Sequence, residues 1–438
     1  MKKLLKKIIQ PIVPQSTLNF LHYSESVAAT LKYRHPSNQM IVIGVIGSKG
    51  KTTTANMLWS ILSADGTKVG LIGTANIRYG NKEVLNPYHM TMPGAFILQK
   101  ILAKFVSIKC KYVIMEVPSE GQAQYRHIGI NFDALIFTNV TNELMAAHNF
   151  NLATLHKHNK RVFNKLSSSK RKTIDLQKPP KIIIANIDSK DAKDYLIFQA
   201  DMKITFGRSK DADFRMSNIA QMPDKISFDV NGDNYNTKIL GKINAINATG
   251  AIATAISLGV NKTAIKAGLA KLPAIPGRME VIEGKQPFTV VVDYAHEQAS
   301  MTALMDSAKN MKSSGGKIIT LLGAEGGGRD SAKRPDMGAI CAKGSDMIVL
   351  SNVDPYDDDP DTIINDIKAG ALQVGAVENQ SMFIVPDRRE GIRQALKLAQ
   401  KDDLVLITGK GSEQSIVING KSSPWDDRKV VREELAKL

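Results

Sequence analysis

The sequence predicts an α/β protein made of two successive parallel-sheet units, the second smaller than the first. Three features lead to that reading. Short apolar runs that read as buried strands alternate with helical stretches along most of the 438 residues. A glycine-rich turn joins the first run to the first strongly helical segment, at residues 44–53. At residues 273–277 the series is broken by P-A-I-P-G and then begins again.

The elements follow in order. Residues 1–38 read as a short basic helical leader that Pro11 and Pro14 interrupt. A buried-strand pattern opens at 40–44 and a helix follows at 52–64. Apolar runs at 69–73, 112–117 and 134–138 continue the series, with helical patterns between them. Residues 167–180 are polar and basic, hence a loop, and 181–185 form another strand. Residues 201–240 are rich in short strands such as 225–230, and 247–258 form an alanine-rich helix. Runs at 288–292, 317–322, 347–350, 381–385 and 404–408 make the second series. The expected partition is 1–38, 39–275 and 276–438.

Composition narrows the function. A hydrophobic content of 43% is that of a globular chain, not a disordered or fibrous one. The formal charge of +16 attracts anions or reflects a basic, well-solvated surface. No aromatic-rich RNA-binding pattern and no paired Cys/His zinc spacing accompanies it, so nucleic acid is not an expected partner. Two cysteines, Cys110 and Cys341, give no disulfide framework and fit a reducing cytosol. No apolar run is long enough to span a membrane. Residues 1–13 instead suit packing on the body of the protein or peripheral contact with an anionic membrane. The expected location is cytoplasmic.

Chemistry first shows in residues 44–53, G-V-I-G-S-K-G-K-T-T. Glycines let the backbone turn tightly so that its N–H groups face a phosphate, and a helix N-terminus adds partial positive charge. Lys51 would neutralise β- and γ-phosphates, and the Thr52 hydroxyl would hold Mg²⁺. The strict eight-residue phosphate-loop pattern fails, because Val45 stands where its first glycine belongs.

Further segments stand in a recognisable order: T-M-P-G at 91–94, M-E-V-P-S-E-G at 115–121, F-T-N-V-T at 137–141 and G-K-I-N-A-I-N at 241–247. P-G-R-M-E at 276–280, V-D-Y-A-H at 292–296, G-G-G-R-D at 326–330, K-R-P at 333–335 and G-K-G-S-E at 409–413 follow. With the shortened G-x-x-G-K-T-T loop, this order resembles the Mur ligase family, on its MurE side, across residues 41–430. The resemblance implies a central P-loop-type parallel-sheet ATPase domain followed by a smaller Rossmann-like α/β domain. It implies a ligase that uses ATP and Mg²⁺ to add an amino acid to the carboxylate of an anionic, UDP-MurNAc-dipeptide-like peptidoglycan precursor, through an acyl phosphate.

Site residues carry over the same way. Gly47, Ser48, Gly50, Lys51, Thr52 and Thr53 would bind the nucleotide phosphates, and Asn244 and Asn247 would also bind the nucleotide, with Asn247 opening a helix near the adenine. Arg278, Asp293, His296 and Arg329 would close over the nucleotide from the second unit. Glu116 with Thr52 would hold the metal, and Lys51, Glu116, His148 and Arg278 are the catalytic candidates. Thr91, Met92, Pro93, Ser119, Asn352, Asp354, Tyr356, Gly409 and Glu413 are the substrate-binding candidates.

The chain also departs from the family. Fewer than 40 residues precede the first strand, too few for the family's usual uridine-nucleotide-binding domain. Leu144 stands where the family has its second magnesium-binding His, and His148 matches a separate, later one. Asn159 stands where the family has a carbamylated Lys; Lys157 and Lys160 reach that place only by a register shift. A second magnesium site is therefore expected to be weak or rebuilt. The His156/His158 pair is no replacement, because i,i+2 residues do not share a helix face. In place of the D-N-P-R of diaminopimelate-adding relatives, residues 352–357 read N-V-D-P-Y-D. No Arg there can grip a second carboxylate, while Asp354 and Asp357 favour an amine, which points to lysine or another diamine as acceptor. Alternatives are a silent relative that binds nucleotide and a partner, a folylpolyglutamate- or cyanophycin-type ligase, and a nucleic-acid-binding P-loop ATPase.

Overall fold

The computed structural model describes residues 13–88, 90–141, 148, 151–222 and 224–438. Most of the basic leader, and Leu144, lie outside the described residues. The first described helix is α1 (Gln15–Lys32), capped by Pro14, whose fixed φ suits that position.

The first unit is an eleven-stranded sheet: β1 (Ile41–Ile46), β2 (Val69–Ile72), β3 (Asn76–Tyr79), β4 (Lys82–Leu85), β5 (Tyr112–Glu116), β6 (Ala134–Phe137), β7 (Ile182–Asn186), β8 (Met202–Gly207), β9 (Phe214–Gln221), β10 (Ile226–Val230) and β11 (Asp233–Thr237). Their spatial order is β11-β10-β9-β8-β7-β6-β1-β5-β2-β3-β4. The middle strands run parallel, and antiparallel hairpins close both edges.

Both faces of this sheet are covered, which is why its strands read as unbroken apolar runs. In β1, Ile43 and Val45 join one core while Val42 and Ile46 join the other. The first core is roofed by α2 (Lys51–Ala64), and the opposite face by α3 (Ala95–Ser107), α5 (Leu152–Ser168) and α6 (Lys193–Leu196), with the short α4 (Ser119–Ala123) packed on α5. The helices α7 (Ile243–Ser257) and α8 (Lys262–Lys271) complete the first roof. The helix expected at 247 begins four residues earlier, so Asn247 lies in its second turn and does not open it.

A second sheet follows: β12 (Glu280–Val281), β13 (Thr289–Asp293), β14 (Ile318–Leu322), β15 (Met347–Leu350), β16 (Met382–Ile384) and β17 (Leu404–Thr408), in the order β12-β13-β17-β14-β15-β16. It is parallel except for β12. Around it stand α9 (Gln298–Met311), α10 (Lys333–Gly344), α11 (Pro360–Gln373), α12 (Arg388–Leu398) and α13 (Asp427–Leu435). A hairpin, β18 (Ser415–Ile418) and β19 (Lys421–Pro424), follows β17. The protein is thus a mostly parallel α/β structure, as the alternating pattern predicts. Among the described residues no helix is long and apolar enough to cross a membrane.

Candidate active site

In the first sheet β1 lies between β5 and β6, so the loops leaving these strands at their carboxyl ends meet at one place. Two positions in the turn after β1 admit only glycine. Gly47 and Gly50 have φ of 137° and 82°. A Cβ on Gly47 would lie 2.1 Å from Thr138 Oγ1, and one on Gly50 would lie 2.3 Å from Asn247 Oδ1. Residues at the end of β6 brace the turn. Thr138 Oγ1 donates to the Lys49 carbonyl (2.7 Å), Asn139 Oδ1 accepts from the Lys49 N–H (3.0 Å), and Ser48 Oγ accepts from the Thr141 N–H (3.1 Å). The Lys51 ammonium folds over the turn and donates to the carbonyls of Gly47 (2.7 Å) and Ser48 (2.8 Å). Thr52 and Thr53 fill the first turn of α2.

Glu116 ends β5 beside this turn and is 1% exposed. Its carboxylate accepts from Thr52 Oγ1 (3.0 Å), Thr74 Oγ1 (2.9 Å) and the Thr74 N–H (2.7 Å). Among the described residues no ion pair is formed to it, and its donors are two hydroxyls and one N–H. A buried anion in that state suits a divalent cation. Thr74, which sequence reasoning missed, also shares a hydrogen bond with Thr91 (2.9 Å), so the segment carrying Thr91, Met92 and Pro93 is tied to the same cluster. Arg126 donates to the Met92 carbonyl, and Met92 packs on Gly121 of α4.

Asn247 and Asn244 stand behind Gly50, joined by a 2.8 Å hydrogen bond, with Asn244 donating to the Leu240 carbonyl (2.6 Å). On the other side, Ser119 Oγ bonds His148 Nε2 at 2.8 Å. The helix register turns Asn159 inward, where it accepts from Gln122 (3.3 Å). Lys160 instead pairs with Asp194 (2.8 Å) on the outer surface, and Lys157 is exposed. His156 faces Tyr195 while His158 faces His148, two different directions, as i,i+2 spacing requires. Among the described residues no group of three or more His, Cys, Asp or Glu side chains is placed to hold a metal.

The second unit faces this turn. Asp293 ends β13 and accepts from the N–H groups of Met279 (2.7 Å) and Ala295 (2.8 Å). Burial pushes its carboxyl above the usual value, against the pull of Arg278 and Lys49. His296 is pushed well below its usual value by burial and then by Lys49, Lys333 and Arg278, so it is neutral at pH 7. Lys49 belongs to the turn after β1, so these groups of the second unit lie within electrostatic reach of that turn. The Arg278 guanidinium lies over the Tyr294 ring at 4.1 Å. Burial lowers the pKa of Arg329, but Glu325, Tyr356 and Glu120 outweigh it and hold its charge firmly. Glu120 lies on α4, a second approach across the cleft.

Not every candidate faces the cleft freely. Asp354 is buried, with one oxygen on Lys410 Nζ (2.6 Å) and the other on the Val417 N–H (2.7 Å). This corrects the expectation that it grips an acceptor amine: its charge is already used in holding Lys410. Lys410, fully buried, also pairs with Glu413 (2.8 Å), which accepts from Tyr294 OH (3.1 Å). Tyr356, at φ 56°, packs on Gly327. Gly409 abuts Val353, and the carbonyl of Asn352 accepts from Arg388 (3.2 Å). Lys410 and Tyr294 went unremarked in the sequence, although both lie inside quoted motifs.

Comparison with known proteins agrees with this architecture. The Mur ligase middle domain matches residues 45–255, and the Mur ligase glutamate ligase domain matches residues 277–411. UDP-N-acetylmuramoyl-L-alanyl-D-glutamate–2,6-diaminopimelate ligase 1 of Clostridium acetobutylicum is 32% identical over 412 residues, covering 93% of this chain and 80% of that protein. A solved structure of a ligase of that name is 24% identical with a TM-score of 0.59, covering 91% of this chain and 78% of that one. Folylpolyglutamate synthase of Mycobacterium tuberculosis is 15% identical with a TM-score of 0.70, covering 89% and 93%. The two structural likenesses speak for the fold alone. The matched domains and the 32% identity with a relative spanned over four-fifths of its length (80%) mean that this chain belongs to the Mur ligase family, whose members are ATP-dependent carboxylate–amine ligases.

Proposed function

We propose that the protein adds an amino acid to the carboxylate of a peptidoglycan-precursor peptide, in the manner of MurE-type ligases, through an acyl phosphate. What supports this reading is the Thr52–Glu116 hydrogen bond beside the turn at Gly47–Gly50, with Lys49 of that turn near enough to act electrostatically on Asp293 and His296 of the second unit. Phosphoryl transfer needs positioning and charge neutralisation more than covalent help. The turn at Gly47–Gly50 supplies N–H groups and Lys51 supplies positive charge to the ATP phosphates. Thr52 and Glu116 would hold Mg²⁺, which when bound neutralises charge on the phosphates. The segment with Thr91, Met92 and Pro93, together with Ser119, positions the donor carboxylate. Arg278, stacked on Tyr294, with Asp293, His296 and Arg329, covers the nucleotide and keeps water from the acyl phosphate. Glu413, Gly409 and Tyr356 border the acceptor. Tyr356 offers no bidentate grip for a second carboxylate, which supports lysine or another diamine.

The test is phosphate release from ATP and Mg²⁺ with UDP-MurNAc-dipeptide and a panel of amino acids, followed by product mass. Release that requires both donor and one amino acid, with the mass of that residue gained, is expected. Release that ignores both, or none with nucleotide bound, would sink the reading. The inward Asn159, at the family's carbamate position, favours the second reading: a nucleotide-binding relative that no longer ligates.

A further inference from the structure

Ser119 begins α4, next to Glu120, which approaches Arg329 across the cleft. Its half-buried hydroxyl shares a 2.8 Å hydrogen bond with Nε2 of His148, which is 0% exposed. Nδ1 of His148 in turn shares a 2.9 Å hydrogen bond with Nδ1 of His158, half-buried on α5. The three groups form one hydrogen-bonded line from Ser119 on α4 through buried His148 to half-buried His158 on α5. Burial, then Arg161, His148 and Lys157, hold His158 down to about 4, so its ring is neutral at pH 7. When Ser119 donates to His148 Nε2, His148 Nδ1–H donates to His158 Nδ1; reversing the tautomers reverses the line.

Packing does not account for the pair. The α4–α5 contact is already held by Gln122, which accepts from the Val162 N–H (3.1 Å), and by Arg161, which donates to the carbonyls of Gln122 (2.9 Å) and Ala123 (3.2 Å). Two apolar side chains would fill the same space without needing partners.

We propose that Ser119, His148 and His158 form a proton path that takes up the proton shed by the attacking amine and delivers it to solvent; this rests on the ligase reading above. The amine nitrogen bonds the carbonyl carbon of the acyl phosphate, the C–O bond to phosphate breaks, and phosphate leaves with the electron pair. The surplus proton on nitrogen passes to Ser119 Oγ as the hydroxyl proton passes to His148 Nε2. The Nδ1 proton of His148 passes to His158 Nδ1, and the Nε2 proton of His158 passes to water. One proton leaves the amine and one enters solvent; reorientation of the rings restores the starting tautomers. Ser119 is the group that meets the amine, and the two histidines act through it.

The test combines two measurements on the full chain. The first is ¹⁵N NMR of histidine-labelled protein, where a coupling between the Nδ1 atoms of His148 and His158 is expected and is lost in His158→Gln. The second is single-turnover kinetics. His158→Gln should slow amide formation about a hundredfold relative to acyl-phosphate formation, trapped by borohydride, with the gap narrowing as pH rises. Added imidazole should restore part of the rate in His158→Gly. An equal fall in both half-reactions with a lower Tm, or no fall at all, would overturn the path. A chain that ligates but lacks the coupled pair overturns the path alone. One that shows the pair yet forms no acyl phosphate overturns the ligase reading, and the path's catalytic role with it.

Discussion

Glu116 is a carboxylate kept from water with only hydroxyls and one N–H around it. Such a group weakens the isolated fold and strengthens the metal-bound one. Glu116→Gln is therefore expected to keep or raise Tm while lowering magnesium-dependent turnover by about a hundredfold or more. Melting curves and a Mg²⁺ titration of phosphate release check the two halves of that expectation. His127 gives the opposite kind of test. It is buried with Nδ1 unpartnered, and burial, then Arg161 and Lys165, lower its pKa from 6.5 to about 3. The unfolded chain then binds a proton that the folded chain refuses between those values. Its stability contribution is complete above pH 6.5 and is lost as pH falls towards 3, at about 1.4 kcal/mol per pH unit. Urea denaturation at stepped pH should show a shallower acid loss in His127→Phe than in the parent chain.

At the scale of elements, the parallel strands were legible because both of their faces are buried and their residues are apolar throughout. The strand-rich stretch 201–240 was legible too and holds β8 to β11, whereas the hairpins β3–β4 and β18–β19 were not. In β18–β19 the outer face is polar, and Lys421-Ser422-Ser423 carries no strand pattern. Its turn did hold a signal: Asn419 and Gly420, at φ 50° and 68°, form the tight pair that hairpins favour, as Asn231 and Gly232 do between β10 and β11. The start of α7 was misread because Asn247 resembles a cap, whereas its side chain is taken by Asn244 three residues back. The loop read from the sequence at 167–180 spans 169–181 in the structure. It inserts Lys172 beside Asp133 at the foot of β6, both nearly inaccessible, with Lys172 donating to the Met40 carbonyl (2.7 Å). Removing one partner of such a pair strands the other charge, so Asp133→Ala should cost about 3–5 kcal/mol in urea unfolding. Lys172→Met in the same background should recover part of that loss.

At the scale of the molecule, motif order singled out the turn at Gly47–Gly50, Glu116 and the candidates of the second unit. It could not show which polar side chains are used up inside the protein. Asp354 and Lys410 illustrate the reason: both lie in motifs, and only their mutual distance reveals that they neutralise each other. Thr74 was invisible for a different reason, since a single hydroxyl outside any motif gains its place only when β2 and β5 pair. The imidazole pair likewise joins positions separated by ten residues of chain, one of them on α5, and no periodicity links them.

The close backbone contact at Gly277 has a mechanical result. Its left-handed φ of 61° brings it so near the loop after β17 that a Cβ would lie 2.2 Å from the Gly411 carbonyl carbon, and its N–H is held by Glu280 (2.8 Å). The corner bearing Arg278 therefore travels with the loop bearing Lys410 and Glu413 as one rigid piece. Any hinge between the two units must bend upstream of that corner; on the proposed reading Arg278 would then arrive together with the loop bearing Lys410 and Glu413, and nucleotide clamping and acceptor positioning would become a single stroke.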